Sequence, residues 1–113
     1  GIVAYQNEIK TKILGVSQSI IDEKTEVSAE VVKQMAKSVL KKFDADLAIA
    51  TSGYAGPTGG TNKNPIGTVF IAIASAEGVV TNRFIFSGNR QSVVNQASES
   101  SLDLLYAEVK KQQ

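Results

Sequence analysis

The chain has 113 residues, 42% of them hydrophobic and 20% charged, with a net charge of +1, no cysteine and no histidine. Such a composition fits one folded domain with a real core, and it carries neither a basic footprint for nucleic acid or an anionic membrane nor an apolar run of membrane-spanning length. Without cysteine or histidine there is no disulfide, no thiolate nucleophile and no imidazole-based triad, so the proton transfers of any catalysis fall to Lys, Tyr, Asp or Glu. No signal peptide is visible, and a cytoplasmic location is expected.

The chain opens directly in an apolar, strand-like segment, Gly1-Ile2-Val3-Ala4-Tyr5, and a strand with no lead-in reads as part of something longer. Asn7 fits a helix N-cap, with Lys10 at the third helical position, Ile9, Ile13 and Leu14 at helical spacing, and Gly15 as the stop. Ser17 suits the cap of a short helix through Ile20, Ile21 and Glu23. The clearest helix runs from Ala29 to Phe43 behind a cap at Ser28. Its apolar stripe is Val31, Val32, Met35, Ala36, Val39, Leu40 and Phe43. Lys33, Lys37, Lys41 and Lys42 lie off that stripe and read as a solvated surface, favoured near the helix C-terminus by the dipole.

Asp44-Ala45-Asp46 then turns the chain into a short buried strand, Leu47–Ala50. The loop Thr51–Thr68 follows, with five of the nine glycines and both prolines. A glycine loop between two strands presents amide N–H groups at a sheet edge, which is how anion and nucleotide cradles are built. From composition alone the simpler reading is favoured, that its glycines serve turn geometry and nothing more. Ile66–Ala74 and Val79–Phe86 read as an antiparallel hairpin about Ser75-Ala76-Glu77-Gly78, and Ser87-Gly88-Asn89-Arg90 as a second turn. The last helix spans about Gln91 to Lys110, with Val94, Ala97, Leu102, Leu105 and Val109 facing inward.

This order implies an α/β fold, a three-layer α/β/α sandwich with a mixed parallel/antiparallel sheet. The long helix supplies a right-handed parallel connection into Leu47–Ala50. A sheet left incomplete exposes an edge and an apolar face, so self-association is expected.

Five segments in register point to a family. They are Gly1 to Lys10, Val27-Ser28-Ala29-Glu30, Ser52-Gly53-Tyr54-Ala55-Gly56-Pro57-Thr58-Gly59-Gly60, Pro65-Ile66-Gly67-Thr68-Val69 and Phe86-Ser87-Gly88-Asn89-Arg90. Together they resemble, end to end, the C-terminal domain of the competence/damage-inducible protein CinA, the PncC family. The resemblance implies a nicotinamide-nucleotide amidase. Such an enzyme hydrolyses the carboxamide of nicotinamide mononucleotide to nicotinic acid mononucleotide and ammonia, with a serine nucleophile supported by a tyrosine and a lysine.

The family's Y-x-N-E-x-K pattern puts those two supporting residues on Tyr5 and Lys10. The serine belongs to an upstream E-S-C-T-G-G segment that nothing in this chain matches. A lysine near the positive end of a helix is in a setting that disfavours its charged form, as a general base requires. Without the resemblance, Tyr5 packing at a sheet edge and Lys10 in solvent is the simpler reading. Substrate binding falls on Ser52, Gly53, Ala55, Gly56, Gly59, Gly60 and Arg90, the arginine clamping the nucleotide phosphate bidentately. A helix-capping role for Arg90, or pairing with Glu99 or Asp103, stays open. Asn7 reads as a cap, and Asp44 and Asp46 as turn carboxylates. No cofactor or metal is implied, and a homodimer is expected. Two other readings are a non-catalytic CinA-type nucleotide-binding or interaction module, and a structural fragment that depends on a partner chain.

Overall fold

The computed structural model describes residues 27–111. The opening strand, the two helices expected before Val27, Tyr5 and Lys10 lie outside the described residues. The described elements are α1 (Ala29–Lys42), β1 (Leu47–Gly53), β2 (Thr68–Ser75), β3 (Gly78–Ile85) and α2 (Arg90–Lys111).

Helix α1 forms where the stripe predicts. Ser28 sits in extended conformation, and its Oγ accepts a hydrogen bond from the Val31 amide at 3.3 Å. Val31, Val32, Met35 and Ala36 are buried, and the four lysines are exposed. Phe43, read as the end of the stripe, is instead 54% exposed. It is the C-cap, where the chain leaves the helical path and carries the side chain off the buried face. Asp44 follows with φ 49, and the Ala45 amide reaches back to the Leu40 carbonyl at 2.9 Å, which ends the helix. Loss of the N-cap in Ser28→Ala should destabilise the chain by about 1 kcal/mol, read as a lower urea midpoint at unchanged m-value.

The three strands lie in the order β1-β2-β3. Both pairings are antiparallel, with Ile49 opposite Ile73 and Ile71 opposite Asn82. The hairpin closes at Ser75 and Gly78, as the turn residues predict. All pairing among the described residues is thus antiparallel. The parallel connection expected into Leu47–Ala50 is not seen among them, and the residues before Val27 lie outside the described ones.

Strand β2 is buried at every position from Thr68 to Ala74 because it is central and covered on both faces. Its even residues Phe70, Ala72 and Ala74 join Ala48 and Ala50 against Val31, Val32, Met35 and Ala36 of α1. The small alanines let helix and sheet approach closely. Its odd residues Val69 and Ile71 pack on the other face with Val93 of α2, flanked by Ile49, Phe84, Phe86, Ala97 and Leu104.

Two boundaries and one helix face differ from the sequence reading. β1 runs three residues further, through Thr51-Ser52-Gly53, because those residues pair with Val69–Ile71. β2 starts at Thr68 and not at Ile66, since the Thr68 amide is turned back to the Pro65 carbonyl at 3.0 Å. On α2 the buried position is Val93, at 1% exposure, while Val94, Leu102 and Val109 face solvent. Among the described residues, no helix is long and apolar enough to cross a membrane.

Candidate functional site

The loop between β1 and β2 is held by hydrogen bonds from base to tip. At its base the Tyr54 amide donates to the Thr68 carbonyl at 2.9 Å and the Gly67 amide to the Tyr54 carbonyl at 2.6 Å. These bonds continue the sheet ladder beyond Gly53. At its far end the Thr61 amide donates to the Asn64 carbonyl at 2.8 Å, and the Asn64 amide donates to Thr61 Oγ1 at 2.9 Å. The Gly56–Pro57 peptide is cis.

Two arginines from elsewhere in the chain grip this loop. Arg90, the first residue of α2, donates from Nη1 to the Gly56 carbonyl at 2.9 Å. Arg83 of β3 donates from Nε and from Nη2 to Asn64 Oδ1, each at 3.2 Å, and from Nη2 to the Lys63 carbonyl at 2.9 Å.

Arg90 is placed by its own local chemistry. Asn89 caps α2, its Oδ1 accepting from the Ser92 amide at 2.9 Å. The preceding turn is tied down at the Ser87 carbonyl, which accepts from Ser92 Oγ at 3.2 Å and from Gln96 Nε2 at 2.7 Å. The turn residues Phe86-Ser87-Gly88-Asn89 therefore deliver the guanidinium to the loop with the helix start behind it. A guanidinium carries five N–H donors. Among the described residues its bond is to Gly56, the other N–H groups suit an anion, and the first turn of a helix adds favourable potential for negative charge.

The expected binding residues are distributed along this arrangement. Gly56 and Arg90 are in direct contact. Gly59 and Gly60 line an open groove of about 450 Å³ with Thr61, Asn62, Pro65 and Ile66. Ala55 is packed against the Val69, Ile71 and Val93 cluster, and so ties the loop to the first turn of α2. Ser52 and Gly53 are strand residues, opposite Phe70 and Val69. The requirement for glycine at position 53 is steric: a Cβ there would lie 2.5 Å from the Thr68 carbonyl oxygen and 2.8 Å from Val69 Cγ2. Arg90 bonds the loop and not Glu99 or Asp103.

Sequence reasoning missed Arg83, Asn64 and Tyr54. Asn64 is a buried polar residue in an otherwise exposed stretch, and Tyr54 packs with its ring beside Gly59 while reaching the α1-side core. Asn64-Pro65 is a turn signal that could have marked this end of the loop as structured. Nothing local marks Arg83, whose partner Asn64 is nineteen residues away.

An antiparallel sheet with a helix on each face, carrying at one end a hydrogen-bonded glycine loop gripped from the start of the last helix, defines an α/β domain with a loop-built site. Residues 1–109 match the family described as CinA C-terminal domain, and the chain belongs to that family. It is 43% identical over 110 residues to a CinA-like protein of Flavobacterium psychrophilum, covering 97% of this chain and 26% of that one. A CinA-like protein of Geotalea uraniireducens is 42% identical over 105 residues, covering 93% and 25%. The chain thus spans about a quarter of the length of the curated relatives it matches.

Among solved structures, the competence damage-inducible protein A (ComA) of Klebsiella pneumoniae superposes with a TM-score of 0.94 at 34% identity, covering all of this chain and 70% of that one. The CinA superfamily protein of Enterobacter cloacae gives 0.90 at 40% identity, covering 96% and 64%.

Proposed function

We propose that this chain supplies the nucleotide-binding part, and two supporting catalytic residues, of a nicotinamide-nucleotide amidase. The observation that carries the reading is the 2.9 Å bond from Arg90 to the Gly56 carbonyl, which joins two family motifs 34 residues apart at one place. In this reading Arg90 and the loop amides take the phosphate of nicotinamide mononucleotide, and Gly59 and Gly60 leave room for the nucleotide to lie close to the backbone. Tyr5 and Lys10 act on the carboxamide end. A serine hydroxyl attacks the carboxamide carbon while Lys10 accepts its proton. The C–N bond of the tetrahedral intermediate breaks, ammonia leaves with a proton returned through Lys10 and Tyr5, and water hydrolyses the acyl-enzyme to nicotinic acid mononucleotide. The attacking serine is that of the family's upstream segment, which this chain does not match.

The same reading extends to the fold and assembly: a three-layer sandwich with a mixed sheet, in a cytoplasmic homodimer. The cover of α1 on one face of β2 and of α2 on the other supports the layering.

Ammonia release from nicotinamide mononucleotide tests the enzyme reading, with Lys10→Ala as control. With the family's upstream serine segment joined to the chain, turnover that falls at least about a hundredfold in the control supports it, in line with the contribution of a general base; turnover by the chain without that segment would overturn the assignment of the nucleophile. Saturable nucleotide binding without turnover would favour the second reading, a CinA-type binding module. Neither binding nor turnover would overturn both.

A further inference from the structure

The far end of the glycine loop has a construction that its near end lacks. Asn64 is only 9% exposed, and it spends its amide, its carbonyl and its side-chain oxygen on holding residues 61–64 together and tying them to β3. Its partner on β3, Arg83, is an exposed residue whose guanidinium stands 6.0 Å over the Phe70 ring. Phe70 in turn is 7% exposed and belongs to the core beneath α1. The arginine is therefore anchored on the rigid part of the sheet by cation–π contact, and it presents a two-pronged fork to a segment that has no strand or helix of its own.

We propose that Arg83 is a positioning residue: through the fork to Asn64 Oδ1 and the Lys63 carbonyl it fixes the outer wall of the groove, and so sets its affinity for a nucleotide. The affinity part of this proposal rests on the nucleotide reading above; the wall part does not. Arg90 and Arg83 hold the loop at opposite ends, at Gly56 and at residues 63–64, and the groove-lining Gly59, Gly60, Thr61 and Asn62 are strung between them. Release of either end lets those residues sample conformations that a ligand must then reorder, and that ordering cost is subtracted from binding. A lysine at position 83 would keep the charge but not the planar fork, so it cannot hold Oδ1 with two N–H groups.

The test compares the unsubstituted chain with Arg83→Ala and Arg83→Lys by amide hydrogen exchange without ligand and by calorimetric titration with nicotinamide mononucleotide. In both variants, exchange at the Thr61 and Asn64 amides is expected to rise at least about tenfold while the Ile71 amide in β2 keeps its protection, the pattern of local opening and not of global unfolding. Nucleotide affinity is expected to fall about tenfold in both. Unchanged loop exchange in Arg83→Ala overturns the proposal, as does raised exchange with unchanged affinity. Recovery of wild-type affinity in Arg83→Lys overturns it too, since charge and not the fork would then be responsible. If the unsubstituted chain fails to bind the nucleotide, the functional reading falls, and the exchange measurement alone decides whether Arg83 holds the wall.

Discussion

Arg90→Ala should weaken nicotinamide mononucleotide binding by about ten- to hundredfold. The arginine does two things at once. It pins the loop at the Gly56 carbonyl, and in the proposed reading its remaining donors at the start of α2 take the phosphate. A hydrogen bond to a charged partner is worth about 1.5–3 kcal/mol when the alternative is an unmade bond, which converts to that range of affinities. Arg90→Lys should recover only part of it, because an ammonium can meet the phosphate or the carbonyl as a point charge but not both in a fixed plane. The thermal midpoint should move little in either variant, since Arg90 is exposed and the helix cap is made by Asn89. Calorimetry with the nucleotide, paired with thermal melts, separates the two effects. Equal affinity in wild type and Arg90→Ala would remove the phosphate role.

The largest stability effect should come from Gly67→Ala. Gly67 has φ +99, is buried, and immediately precedes β2, bonded on one side to Tyr54 beyond β1 and on the other to Phe86 beyond β3. A Cβ placed there would collide with the Phe86 carbonyl oxygen. That neighbour is backbone and cannot swing away, because the Phe86 amide is itself bonded to the Gly67 carbonyl at 2.8 Å. The forbidden φ alone costs about 1–3 kcal/mol, and disturbing the Gly67 amide bond to Tyr54 adds about 1 kcal/mol. A total of about 3 kcal/mol or more should lower the melting temperature by roughly 10 °C or more for a domain of this size. The same change should loosen the glycine loop, since Gly67 closes its base. A substitution within about 0.5 kcal/mol of wild type would mean that the strands can part at this point without cost.

How far the sequence foretold the structure depended on whether the deciding interaction was local. Helix α1 was readable because Ser28, the stripe and the lysines all lie within a few residues of one another. The hairpin was readable because a two-residue turn fixes its register. Helix α2 was placed correctly, and Ala97 packs inward as expected, but Val94, Leu102 and Val109 do not. Its middle, Ala97-Ser98-Glu99-Ser100-Ser101, has little apolar contrast, and apolar residues occur on both faces, Val93, Ala97 and Leu104 on one and Val94, Leu102 and Val109 on the other. Periodicity could not choose between them; packing against Ile71 and Val69 did. Thr51-Ser52-Gly53 looked like the start of a loop, and only pairing with Val69–Ile71 makes it strand.

The site followed the same rule. Its glycine loop was visible as a composition change, and Arg90 stood out through guanidinium chemistry together with the family resemblance. The bond between them spans 34 residues and had no local sign. Arg83 and Asn64 were passed over because an arginine in a strand and an asparagine before a proline each have an ordinary explanation until they are seen to touch.

The measurement that bears most directly on the central claim is a calorimetric titration of nicotinamide mononucleotide into the folded chain. The predicted result is one saturable site whose affinity drops in Arg90→Ala. A folded chain that shows no saturation at millimolar nucleotide, or one that binds equally well without Arg90, would contradict it.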